Sequence, residues 1–171
     1  ARRRSVLPGR LKGLLGERYA KAAVGIFRTA LANAASSLLG QAPFASHREH
    51  VSIRGVVAVA ADTGCDEPTR NLYRSTALGA TFNSLGSERY LLTEDNRSLR
   101  DIAANVPYDA LIIMVNHDRY GGGGIYNLFC TFTAHSKWSG YQPLHEFGHP
   151  FSGLADEYYS SAVAYNHVDP R

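Results

Sequence analysis

Gln142-Pro143-Leu144-His145-Glu146-Phe147-Gly148-His149-Pro150-Phe151-Ser152-Gly153-Leu154-Ala155-Asp156-Glu157-Tyr158-Tyr159 holds two histidines four residues apart, with a glutamate directly after the first. On a helix, at about 100° per residue, His145 and His149 stand about 40° apart and one turn apart, so both imidazoles can grip one ion. Glu146 points roughly 100° away from His145, beside that ion, where it can take a proton from an attacking water and return it to a leaving group. A catalytic zinc site takes a third protein ligand and keeps one position open. A continued helix would carry Asp156 about 16 Å along the axis from His145. The chain must therefore turn back, and Gly153 permits a left-handed helix end. Beyond the turn Asp156 is favoured as third ligand, because a short side chain near a turn suits a fixed bond. Glu157 competes, and His167 and Asp169 are further alternatives. Ordinary helices carry chance His-Glu-x-x-His matches, but the glycine and the acidic pair behind this one set it apart. Pro150 is discordant: it removes a helical N–H, crowds the Glu146 carbonyl and disfavours helical backbone at His149, so a kink or an early helix end is expected.

The chain has 171 residues, 44% hydrophobic and 19% charged, which suits one globular domain with a sizeable core. Its net charge of +3 owes much to Arg2, Arg3, Arg4, Arg10 and Lys12. Residues 1–13 therefore read as a flexible basic segment, solvated rather than nucleic-acid-binding, ahead of a domain spanning 14–171. No apolar run approaches the length of a membrane span, and the start lacks a signal peptide's apolar segment. Cys65 and Cys130 allow one disulfide or two separate thiols, and neither has a second cysteine or histidine at metal-ligand spacing.

Apolar spacing predicts a helix over 14–39, stopping at Gly40, and helices over 69–83 and 97–105, the last capped within Thr93-Glu94-Asp95-Asn96. Strands are expected over 51–61, 89–92, 109–116 and 125–133, the third nearly continuous in apolar residues, as a strand covered on both faces would be. This alternation argues for a layered α/β domain. His47, His50, His117 and Asp118 read as loop residues. The acidic loop Asp62-Thr63-Gly64-Cys65-Asp66-Glu67 reads as negative charge before a helix N-terminus rather than as a calcium site. Gly121 to Gly124 lack the lysine and the following helix of a phosphate loop.

The segment from His145 to Tyr158 also resembles the signature of the bacterial IgA-peptidase family of zinc metallopeptidases. The likeness continues upstream through Tyr120-Gly121-Gly122-Gly123-Gly124, through Pro107-Tyr108-Asp109 with Val115-Asn116, and through Thr63-Gly64-Cys65-Asp66-Glu67-Pro68. It implies a zincin-like, metzincin-like α/β domain: a twisted mixed sheet, flanking helices and an active-site helix, incomplete at its C-terminus. It further implies hydrolysis of protein or peptide substrates, with zinc held by His145, His149 and Asp156 and with Glu146 as general base and acid. In zincins an edge strand lies above the active-site helix and pairs with extended substrates. Here a glycine run leading into such an edge would let backbone approach backbone. A secreted, cell-surface or periplasmic location is implied as well. Family members carry a small residue where Pro150 stands. The alternative reading is a non-catalytic binding module derived from a metallopeptidase, its metal site structural or empty.

Overall fold

A computed structural model describes residues 14–17 and 24–157. The basic segment 1–13, together with Tyr158, Tyr159, His167 and Asp169, lies outside them. The elements are β1 (Leu14–Glu17), α1 (Val24–Leu39), β2 (Gly55–Ala58), α2 (Asn96–Ala103), β3 (Ile112–Val115), β4 (Gly122–Ile125), β5 (Phe129–Thr133) and α3 (Gln142–Ser152). They build one mixed sheet in the order β2-β1-β3-β5-β4, in which β4 alone runs antiparallel, at the edge.

β3 and β5 are buried along their whole length, as their apolar runs require. Their alternate residues serve two cores. Ile112, Met114, Cys130 and Phe132 face Phe27, Ala30, Ala34 and Leu38 of α1 and Phe147 of α3. Ile113, Val115 and Phe129 face Leu78, Phe82, Leu91 and Leu99 on the other side. The result is a layered α/β arrangement with α3 packed beside the antiparallel edge strand. Among the described residues no helix is long and apolar enough to cross a membrane. Cys65 and Cys130 are separate buried thiols, one in each core.

Several expected boundaries shift where non-local pairing overrides local spacing. The helix expected from residue 14 starts at Val24. Residues 14–17 instead form the strand between β2 and β3, bonded to both. The helix expected over 69–83 is absent: a single tight turn, Pro68–Arg70, leads into irregular chain with a left-handed Gly79 at φ +59°. There Leu78, Ala80 and Phe82 are all fully buried at period two, and Thr81 bridges to Leu92. The strand over 51–61 contracts to β2, and that over 89–92 survives only as bridges at Tyr90 and Leu92. The acidic loop precedes no α-helix. Its Asp66 and Asp62 carboxylates accept from the Arg74 and Ser75 N–H groups at 2.7 and 2.8 Å, tying down the start of that segment. The cap of α2 is Asp95, which accepts from the Ser98 N–H at 2.9 Å.

Candidate metal centre

α3 carries the histidine pair. Its Phe147 is buried, with its ring 5.6 Å from Phe44 and 5.1 Å from Phe151, which seats the helix against α1 and β5. The early end expected at Pro150 does not occur. The helix continues to Ser152 and stops at Gly153, whose φ of +66° is left-handed, with its N–H donating to the His149 carbonyl at 3.0 Å. Pro150 is buried against β4, and its carbonyl accepts from the Asn127 N–H at 3.0 Å.

The Gly153 turn brings Asp156 back over the helix. Its Oδ1 lies 3.2 Å from His145 Nε2 and 3.4 Å from His149 Nε2. Three ligands at about 2.1 Å from a tetrahedral ion stand about 3.4 Å apart, so both of these distances match that of two ligands on one zinc ion. Two nitrogens and one carboxylate oxygen are also donors that zinc favours. Glu146 Oε2 is further off, 4.0 Å from His149 Nε2, although one ligand atom each of His145, Glu146 and His149 also falls within 4.8 Å of the others. Glu157 is exposed. Sequence reasoning had no access to one further contact: His149 Nδ1 lies 2.6 Å from the Leu154 carbonyl. A carbonyl only accepts, so Nδ1 carries a proton there and Nε2 is the ring nitrogen turned to Asp156. Burial holds the His145 imidazole below its ordinary pKa, favouring the neutral form that ligates.

Glu146 is 6% exposed, and its carboxyl is pushed up to about 8, first by burial and second by the Asp156 charge. A hydrogen bond with Gln142 and the charge of Arg89 work against this rise. A divalent cation between the two carboxylates would offset the Asp156 charge and draw Glu146 back down.

The glycine run is itself the edge strand, which corrects the expected strand over 125–133. That stretch splits at a turn with Asn127 at φ +56°, and Gly122–Ile125 forms β4. A Cβ on Gly122 would overlap the Glu146 carboxylate, and one on Gly124 would stand 2.6 Å from His149 Cβ and 2.8 Å from the Glu146 carbonyl. The strand therefore rests on α3 through bare backbone. On its outer side the Gly122 N–H donates to the Arg89 carbonyl at 3.1 Å, and its carbonyl accepts from the Leu91 N–H at 3.0 Å. Antiparallel alternation turns the N–H and C=O of Gly124 to the same outer side. There a cleft of about 630 Å³ opens, reaching Glu146, His149, Asp156, Tyr120 and the wall formed by Leu85 and Tyr90.

His117, read from sequence as a loop residue, belongs to a cluster that fixes this wall. Glu67, 4% exposed, meets Arg119 Nη1 at 2.9 Å, Arg70 Nη1 at 3.3 Å and His117 Nε2 at 3.3 Å. Arg119 also lies over the Phe82 ring and donates to the Glu88 carbonyl at 2.9 Å. Arg70 is a local partner, three residues on, but His117 and Arg119 lie some fifty residues from Glu67 and no local pattern pairs them with it.

The family described as IgA Peptidase M64 matches residues 10–171 of the chain. Among solved structures, archaemetzincin (amzA) from Methanopyrus kandleri is similar at 14% identity, over 95% of this chain and 87% of that one, with a TM-score of 0.44. None of the curated proteins compared matches.

Proposed function

The chain belongs to the IgA peptidase M64 family and is a metallopeptidase, and on that premise we propose that it is a zinc-dependent endopeptidase with His145, His149 and Asp156 as metal ligands and Glu146 as general base and acid. One observation carries the ligand assignment: two imidazole nitrogens and one carboxylate oxygen meet at 3.2 and 3.4 Å, on the floor of an open cleft. A structural zinc site closes its fourth position with protein, whereas this group faces solvent-accessible space. That favours catalysis over the alternative of a non-catalytic binding module.

When bound, the zinc ion supplies Lewis acidity, lowering the pKa of water and polarising the scissile carbonyl. The remaining work belongs to the chain. The Leu154 carbonyl holds the His149 ring, and the αL turn at Gly153 holds Asp156 in reach. Glu146 accepts the proton of the attacking water and delivers it to the departing amine. Its buried position under Gly122 keeps bulk water from competing for that proton. An extended peptide lies beside β4 and pairs with the outward N–H and C=O of Gly124, as a strand added to a sheet edge.

Glu146→Gln tests the reading. Zinc should remain bound near one equivalent while cleavage of casein or a peptide library falls about 10²- to 10⁴-fold. Unchanged cleavage would remove Glu146 from the chemistry. Stoichiometric zinc with no cleavage by the wild-type protein would favour the binding module.

A further inference from the structure

Leu85 breaks two local rules at once. Its φ of +55° and ψ of +25° are left-handed, a conformation that a bulky side chain adopts only under constraint, and its side chain is 68% exposed. The constraint comes from both flanks. Ser84 Oγ donates to the Thr81 carbonyl at 3.0 Å, the Ser84 N–H donates to the Tyr90 carbonyl at 3.3 Å, and the Tyr90 N–H donates to the Ser87 carbonyl at 3.1 Å. Arg119, itself paired with buried Glu67, holds the Glu88 carbonyl. Asn83 and Gly86 are left-handed as well, at φ +63° and +75°. The segment is thus a braced turn that presents a leucine to the cleft, whose wall continues through Tyr90 and Leu92.

The sheet edge says which substrate group would meet that leucine. A strand laid beside β4 sends its side chains alternately to the two faces of the sheet. Gly122 and Gly124 lean on α3, whereas Gly123 leans on the Leu92 side chain, where its Cβ would stand 2.9 Å from Cδ2. One set of substrate side chains therefore faces the metal ligands, and the other faces Leu92 and Leu85. Residues 89–91 already bond the outer side of Gly122, so the peptide pairs from Gly124 onward and abuts Tyr90 at its blocked end.

We propose that Leu85, Tyr90 and Leu92 form an apolar subsite that receives a large hydrophobic side chain of the peptide substrate, with the braced left-handed turn holding the subsite open. The proposal rests on the peptidase reading above. Arg89 and Glu94 also line the cleft, so a preference for a charged side chain is the competing outcome.

The test uses quenched fluorescent peptides that differ at one scanned position, carrying leucine, phenylalanine, alanine, aspartate or lysine. Zinc-loaded wild-type protein should cleave the leucine or phenylalanine peptide with a kcat/KM about tenfold or more above that for alanine. Leu85→Gly, whose new residue suits the left-handed turn, should melt no lower than wild type yet bring that ratio close to one. A Leu85→Gly protein that keeps the full ratio, or a wild type that prefers a charged residue or shows no preference, overturns the subsite. Calorimetric binding of the same peptides to zinc-loaded Glu146→Gln separates the two levels of inference. An apolar preference in binding without wild-type turnover would sink the peptidase reading and keep the subsite. Turnover with no preference in either assay would sink the subsite alone.

Discussion

Gly124→Ala tests the contact on which the centre is built, the bare-backbone seat of β4 on α3. The added methyl would stand 2.6 Å from His149 Cβ, 2.8 Å from the Glu146 carbonyl oxygen and 3.0 Å from Pro150 Cδ. Two of these atoms are fixed to the helix backbone and the third is a ring carbon, so none can swing aside. Apolar contact is comfortable from about 3.5 Å, so strand and helix must part by about 0.9 Å. Overpacking of this kind costs about 1–3 kcal/mol, while relieving a strand of glycine's entropy returns about 0.5–1 kcal/mol. The net destabilisation of about 1–2 kcal/mol corresponds to a Tm lower by about 5 °C in a chain of this size. Activity should suffer more than stability, because the movement separates the substrate-pairing strand from Glu146 and His149. A misplacement near 1 Å costs about 100-fold in kcat/KM. Thermal melts, zinc content and peptide turnover measure the three effects together. Gly140→Ala, with open space at its Cβ, should change none of them, and Gly123→Ala, whose tightest contact is the Leu92 side chain at 2.9 Å, should fall between. A Gly124→Ala protein that melts and cleaves like wild type would mean that the strand does not rest on the helix as described.

Asp156→Ala should weaken zinc binding more than about 100-fold while Glu157→Ala leaves zinc content intact; equal loss in both would reopen the identity of the third ligand. The Glu67 carboxyl is pushed up by burial, but the Arg119 hydrogen bond and the nearby charges of His117 and Arg70 outweigh this and hold it below its ordinary value of 4.5. A depressed folded-state value contributes stability that is present above the unfolded value and lost as pH falls through the folded one. Glu67→Gln should therefore flatten the acid side of the stability profile and cost about 1.5–3 kcal/mol at neutral pH by removing the charge-assisted hydrogen bond to Arg119; an unchanged acid limb would refute the role. Both cysteines are buried, and burial raises the Cys130 thiol well above its usual pKa. Ellman's reagent should thus find two thiols only in denaturant, and fast labelling of the native protein would contradict the packing.

The centre was legible wherever its geometry is local. Two imidazoles one turn apart, a glycine that ends the helix and a carboxylate three residues later are all set by helical periodicity and one left-handed residue, and the structure brings those groups to a common point. Pro150 is tolerated because the proline rule bites hardest in a helix interior. Here the helix has only two residues left to run, and the proline lies buried against β4. What was illegible is equally physical. Leu78, Ala80 and Phe82 are buried in a non-helical segment that an isolated bridge from Thr81 to Leu92 holds, and residues 14–17 become a strand only because β2 and β3 leave a place between them. The Glu67–Arg119 pair depends on two loops some fifty residues apart. Gly121 to Gly124 show where the two kinds of information meet. From composition they suggest a flexible loop, yet each is a strand or flanking position where a side chain would strike Phe82, Gln142, Leu92 or His149. Glycine there is selected by closeness, not by freedom. The same closeness lays bare backbone directly against the Glu146 carboxylate.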